Sequence, residues 1–335
     1  MKIDWLTTGT QPTWVENNFL FGGRVYEAYA RKLLRTRYDL NIIYLSRGNS
    51  KVRVARAGEF SRYILKNILI KFKSDIVIRD FFSTIFTPFN KKTKNIIMIH
   101  HLDFPKRNKI FYGVLKHIFF KKARRAEKIV VVSEYWKNIL EKNGCSNIRI
   151  IYNSFDISNF IFNENEIVSF KNSLGIRGNS PVLYLGNSRS EKGFIQTFRA
   201  LKDIDAVFVI TGKNKINLPI LCKYFSYHDY LKLLKISSLA IFMSTFKEGW
   251  CRSAHEAMLC GTPVIGSGAG GMRELLSKGG QIICDDFSKL RSTVVDLLKD
   301  KQKLDDLSLK GRKFAEQFTL DYFEKSWISL IGELG

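Results

Sequence analysis

Two carboxylates stand eight positions apart in the stretch Glu248-Gly-Trp-Cys-Arg-Ser-Ala-His-Glu256. The stretch leaves the apolar run LAIFMSTF and enters the helical pattern EAMLCG, so the pair straddles a strand-to-helix turn. Carboxylates placed there can accept hydrogen bonds from paired hydroxyls, as on a sugar or a ribose. The adjoining helix N-terminus favours a negative ligand such as phosphate. Two solvated glutamates at a helix start would satisfy the same dipole, so the spacing leaves both readings open. Glycines are the second group. Gly22-Gly23 precedes the helical pattern RVYEAYARKLLR, and Gly268, Gly270 and Gly271 precede Met272. Such positions let backbone amides approach a phosphate closely, although tight turns use glycine routinely. His100 and His101 end the strand-like run NIIMIH, with Asp103 just beyond. A histidine at a strand end either faces a ligand or closes a loop. Asp203-Ile-Asp205 has a spacing that can hold a metal, but it sits at the amino end of the strand-like AVFVITG and reads as a turn. The five cysteines (Cys145, Cys222, Cys251, Cys260, Cys284) show no CxxC and no Cys/His metal spacing. Reduced thiols and no structural zinc are the expectation.

These residues need strands and helices to hold them. The chain has 335 residues, 45% hydrophobic and 25% charged, enough for two domains with substantial cores. Strand-like runs KIDWLT, LNIIYLS, DIVIR, NIIMIH, KIVVV and IRIIY alternate with helical patterns up to residue 152. The polar stretch 153–165 reads as a boundary. PVLYLG, AVFVITG, LAIFMS and TPVIGS then repeat the alternation, and an amphipathic stretch at 321–331 ends the chain. Continuous apolar strands between helices mean parallel sheets covered on both faces. The expected fold class is α/β, with two Rossmann-like doubly wound βα domains facing a cleft. The expected boundaries are 1–155 for the first domain, 156–317 for the second, and 318–335 for a last helical segment.

Charge separates the halves. Residues 1–155 carry 30 Lys+Arg against 11 Asp+Glu, a net +19, while residues 156–335 carry 24 against 20, a net +4. A +19 half attracts polyanions, either nucleic acid or an anionic membrane surface. Residues 105–125, PKRNKIFYGVLKHIFFKKARR, read as a basic amphipathic helix that either docks on anionic lipid or packs as a core helix with a solvated basic edge. Nucleic acid is disfavoured, because no stacking aromatics interleave the basic residues and no recognisable module is present. No apolar leader follows Met1 and no run of about 18 apolar residues occurs, so a cytoplasmic protein, peripheral on the inner face of the membrane, is expected.

Five segments resemble one family. The continuous stretch MSTFKEGW(x)5EAMLCGTPVIGSGAGGMREL, together with YLGNSRSEKGF (184–194), IIYNSFD (150–156), FGGRVYEAYARKL (21–33) and VVVSEYWKNIL (130–140), resembles in order and spacing the retaining glycosyltransferases of family four, which have the GT-B fold. The resemblance implies transfer of a sugar from a nucleotide diphosphate sugar, a UDP-sugar before a GDP-sugar, with no bound cofactor and no catalytic metal. It implies that Glu248 lies beside the donor sugar, that Glu256 binds the ribose hydroxyls and that Lys192 neutralises the diphosphate. The family has an arginine directly after the strand glycine. Here Asn187 follows Gly186, and Arg189 is the nearest arginine to take that role; an ordinary solvated RSEK turn is the plainer reading. Two cations beside a leaving diphosphate would stabilise its developing charge. Gly22 and Gly23, and the amides of Gly270, Gly271 and Met272, would approach phosphate, and His100 would face the donor sugar. The family's last helix crosses back to the first domain. A glycan or lipid-linked acceptor, as in bacterial capsule or lipopolysaccharide assembly, suits the basic first domain. A nucleotide-sugar epimerase of the same fold and a basic nucleic-acid-binding protein are the rival readings.

Overall fold

The computed structural model describes residues 1–7, 22–45, 53–102, 109–213 and 218–335, without the side chains of 53–57, 60 and 109. The chain forms two compact units, Met1–Tyr152 with Glu324–Gly335, and Asn153–Phe323.

The first unit alternates β1 (Lys2–Thr7), α1 (Gly23–Arg37), β2 (Asp39–Tyr44), α2 (Arg53–Ile68), β3 (Ile76–Arg79), α3 (Phe81–Phe86), β4 (Lys94–Ile99), α4 (Lys109–Ala123), β5 (Lys128–Val131), α5 (Glu134–Lys142) and β6 (Ile148–Ile150). Its six strands are parallel in the order β2-β1-β3-β4-β5-β6. The order reverses between β1 and β3, so right-handed crossovers put α1 on one face and α2 to α5 on the other. Both faces are therefore covered, and the central strands are largely apolar: Ile76, Val77 and Ile78 of β3 are fully buried.

The second unit contains α6 (Glu164–Ser173), β7 (Val182–Asn187), α7 (Phe194–Leu201), β8 (Val207–Thr211), β9 (Leu221–Lys223), α8 (Tyr227–Ile236), β10 (Leu239–Phe242), α9 (Arg252–Leu259), β11 (Val264–Gly266), α10 (Met272–Lys278), β12 (Ile282–Ile283), α11 (Phe287–Lys299) and α12 (Lys301–Ala315). The order is β12-β11-β10-β7-β8-β9, again all parallel. The last helix, α13 (Leu320–Gly332), passes from the second unit into the first. There Trp327 is fully buried, its ring 5.9 Å from that of Trp5.

Three elements were only partly legible in the sequence, or not at all. The apolar residues Ile64, Leu65 and Ile68, at helical spacing in the sequence, belong to a helix that runs from Arg53 to Ile68. Apolar spacing marks only its later turns. Phe81–Phe86 (FFSTIF) has strand-like composition, yet it is a helix because Asp80 caps it. The Asp80 carboxylate accepts from the Ser83 amide at 2.7 Å, and the Ser83 hydroxyl accepts from the Asp80 amide at 2.8 Å. In the 105–125 stretch the described helix is Lys109–Ala123, and Pro105 lies outside the described residues. Its apolar residues divide: Leu115, Phe119 and Ala123 are buried, while Ile110, Phe111 and Val114 are exposed. Lys122, grouped by sequence with the basic surround, turns inward. Its Nζ donates to the carbonyls of Ile85 at 2.7 Å and Thr87 at 3.0 Å, and burial, with Arg79 and Arg125 nearby, lowers its pKa to about 8.

Candidate active site

In the second unit the strand order reverses between β7 and β10, which are paired neighbours. Ligands of open α/β sheets bind at the carboxyl ends of strands at such a reversal. The loops leaving these two strands carry Asn187 to Lys192 and Ser244 to Glu248. Lys192 Nζ donates to Glu248 Oε1 at 2.6 Å, and Ser244 Oγ donates to the same oxygen at 2.5 Å. The ammonium also lies 4.7 Å from the centre of the Phe246 ring. Glu248 is only 6% exposed. A carboxylate so buried is costly without a counter-charge, and Lys192 provides it.

Backbone geometry holds the two loops together. The Thr245 amide donates to the Glu191 carbonyl at 2.9 Å. Gly193, between the Lys192 turn and α7, has φ +73°, and a Cβ there would stand 2.1 Å from the Met243 carbonyl oxygen. Only glycine fits. Asn187 accepts the Arg189 amide on its side-chain oxygen at 3.1 Å and so shapes the turn. The Arg189 side chain is exposed, with no ion pair among the described residues, and the structure does not bring it to Glu248. Gly270 pairs as an isolated parallel bridge with Glu248, and a Cβ at its φ of +70° would clash with the Glu248 backbone. The Gly271 amide donates to the Glu248 carbonyl at 2.9 Å. These glycines seat the Glu248 loop. Met272 begins α10 with its side chain fully buried.

Glu256 lies on the first turns of α9 and is 4% exposed. Arg252 Nε donates to its Oε1 at 2.9 Å and the Tyr227 hydroxyl donates to the same atom at 3.2 Å. Burial raises the Glu256 pKa, and Arg252 beside it works in the opposite direction. One position earlier, His255 is fully buried. Its Nδ1 accepts from Trp250 Nε1 at 3.0 Å, and its Nε2 donates to the Ala315 carbonyl at 3.1 Å. Those partners fix a neutral tautomer, and burial lowers the pKa to about 3. His255 is thus a structural imidazole.

The first unit has its own cluster. His100 follows β4, and its Nε2 is buried with no hydrogen-bond partner among the described residues, 3.7 Å from Glu27 Oε1. Its ring meets the Tyr26 edge at 5.1 Å between centroids. The two glycines of the Gly22-Gly23 pair do different work. Gly22, the N-cap of α1, has φ +55°, and nothing lies near the Cβ it lacks. Gly23 makes room, since a Cβ there would sit 2.8 Å from His100 Cδ2. Among the described residues, no three His, Cys, Asp or Glu side chains converge as metal ligands. Asp203-Ile-Asp205 falls in the turn before β8, and all five cysteines are free.

Sequence reasoning passed over Ser244, Arg252, Tyr227, Gly193 and Glu27. The first polar residue beyond the apolar run LAIFM was the available signal for Ser244. Arg252 and Tyr227 offered none, because their meeting at Glu256 depends on how α8 packs against α9.

Residues 35–159 match the family described as Glycosyltransferase Family 4, and residues 169–314 match Glycosyl transferases group 1. An uncharacterized glycosyltransferase of Methanocaldococcus jannaschii is 26% identical over 217 residues, 60% of this chain and 58% of that protein. Spore coat protein SA of Bacillus subtilis is 25% identical over 226 residues, 56% of this chain and 60% of that protein. The matched region thus spans less than two thirds of either relative. Among solved structures, Anabaena HepE in complex with UDP-glucose superposes with a TM-score of 0.75 at 17% identity, over 99% of this chain and 100% of that one. A sucrose-phosphate synthase from Thermosynechococcus elongatus gives 0.79 at 15% identity, over 99% and 98%. Both likenesses bear on the fold.

Proposed function

As the chain belongs to the family-four glycosyltransferases of GT-B fold, we propose that it transfers a sugar from a nucleotide diphosphate sugar, a UDP-sugar before a GDP-sugar, to an acceptor hydroxyl with retention of configuration. The observation that carries this reading is the Lys192–Glu248–Ser244 cluster at the carboxyl ends of β7 and β10, in which a half-buried lysine meets a buried carboxylate. Lys192 is the cation for the diphosphate, and Glu248 holds it in place. Glu256 receives the ribose hydroxyls. Arg189 is exposed and within the same short loop, and it serves as the second cation once a diphosphate is present. His100 Nε2, with no hydrogen-bond partner among the described residues and Glu27 Oε1 3.7 Å away, is assigned to substrate contact.

In this reading the acceptor hydroxyl attacks on the face from which the nucleotide departs. The departing phosphate takes the acceptor proton, so no protein nucleophile and no metal are required. The protein supplies position and charge. The acceptor is a glycan or lipid-linked hydroxyl of bacterial surface-glycan assembly. We assign the enzyme to the cytoplasmic membrane surface. Ile110, Phe111 and Val114 are exposed on α4 beside Lys116 and Lys121, a composition suited to anionic lipid. Among the described residues no helix is long and apolar enough to cross a membrane.

The test uses slow donor hydrolysis, in which water replaces the acceptor. UDP- and GDP-sugars with α-anomeric linkages are incubated with the protein, with and without EDTA, and followed by proton NMR. Initial release of the α-anomer, unaffected by EDTA, is expected. Initial β-anomer, loss of turnover in EDTA, or conversion of the donor into an isomeric nucleotide sugar would contradict the proposal.

A further inference from the structure

Arg252 makes three contacts that link the donor carboxylate to a distant part of the chain. Its Nε donates to Glu256 Oε1 at 2.9 Å. Its Nη1 donates to the Ser154 carbonyl at 3.1 Å. The guanidinium carbon lies 4.1 Å from the centre of the Phe155 ring. The side chain is 7% exposed, so neither partner is replaced by water. Ser154 and Phe155 are the first residues of the second unit after its boundary at Asn153. The Phe155 amide in turn donates to the Phe318 carbonyl at 3.0 Å, next to Thr319, where the chain nears the end of that unit. Arg252 therefore joins Glu256 to the paired segments by which the chain enters and leaves the second unit.

We propose that Arg252 is a positioning residue that keeps Glu256 ionised and aimed at the nucleotide's ribose diol, with its own fork anchored on Ser154 and Phe155. The inference rests on the reading of Glu256 as the ribose partner. Its physical basis is geometric. Arg252 and Tyr227 both bond Oε1, so an incoming diol meets Oε2. A guanidinium fixed by a second hydrogen bond and a ring face holds the carboxylate plane more firmly than a flexible ammonium would. The other titratable groups facing Glu256 are Tyr227 and Tyr230 of α8, Tyr184 of β7, and Cys251 and Cys260 at the ends of α9. Burial raises the pKa of Tyr184, Tyr230, Cys251 and Cys260, so each of these four is neutral near pH 7. Arg252 is then the cation that keeps the carboxylate charged.

The test measures binding of UDP and GDP, each against its 2′,3′-dideoxy counterpart, by titration calorimetry on the full chain. The wild type should prefer the diol form by about tenfold or more, the worth of a charge-assisted hydrogen bond. Arg252→Met should lose that preference at pH 7 and regain part of it as pH rises, while binding the dideoxy nucleotide as the wild type does. Glu256→Gln should lose the preference at every pH. Arg252→Lys should retain part of it, and stands in should the methionine variant fail to fold. Equal weakening of both nucleotides in the Arg252 variants, or full retention of the preference, overturns the proposal for Arg252 alone. A wild type that ignores the diol, or that binds neither nucleotide, overturns the ribose reading of Glu256 and the inference with it.

Discussion

Glu248, in the loop after β10, and Glu256, on α9, are both nearly inaccessible, yet they are stabilised differently. Glu248 relies on one lysine and one hydroxyl, groups a diphosphate can recruit. Glu256 is held by a guanidinium and a phenol that are themselves anchored. Helix α9 also contains His255, which gives a prediction about pH. Its folded pKa of about 3 lies below the ordinary 6.5, so the unfolded chain binds a proton that the folded chain refuses. The neutral imidazole's contribution is fully present above about pH 6.5. It falls by about 1.4 kcal/mol per pH unit as the solution is acidified toward pH 3. Thermal melts between pH 7 and pH 4 should show this slope, and His255→Gln should flatten it. Gly193→Ala provides a second check at this scale. Its Cβ would collide with the Met243 carbonyl at a left-handed φ, and a loss of about 2 kcal/mol or more is expected in chemical denaturation.

At the scale of elements, β7 and β10 matter because they are adjacent across the reversal of strand order. The parallel strands were legible in the sequence since burial on both faces makes them continuous apolar runs, as in Ile76–Ile78 and Leu239–Phe242. Glu248 could be singled out in the loop that follows one such run and Lys192 through the family resemblance, and the two side chains meet. Arg252 and Tyr227 were hidden because helix-helix packing has no local signature, and α3 was hidden because a capping box overrode an aromatic, β-branched composition. Helix α4 yields a prediction in two parts. Leu115→Ala should cost about 3 kcal/mol of stability, as for a buried leucine. Ile110→Ser with Val114→Ser should leave stability within about 0.5 kcal/mol while weakening sedimentation with anionic vesicles. Unchanged vesicle binding in that variant would count against the membrane assignment.

At the scale of the whole molecule, the charge asymmetry of +19 against +4 was plain from composition, and it separates a half suited to anionic surfaces from a half without that preference. The final segment was less legible. Its amphipathic pattern marks a helix, and only the family resemblance implied a return to the first domain; Glu324–Gly335 clusters with residues 1–152. There Glu333 bridges Lys128 and Arg149, and Glu324 pairs with Arg37 at 2.6 Å. Trp327→Ala should therefore lower the unfolding transition of the first unit by about 3 to 5 kcal/mol and leave that of the second unit in place, as read by calorimetry.

The central claim is that the Lys192–Glu248 cluster binds a nucleotide diphosphate. Titration calorimetry of UDP and GDP into the wild type and Lys192→Met tests it most directly. One nucleotide should bind the wild type without added metal, and the variant should bind it about thirtyfold more weakly or worse while melting as a folded protein. Equal affinity in the two proteins, or no binding to the wild type, would contradict the account.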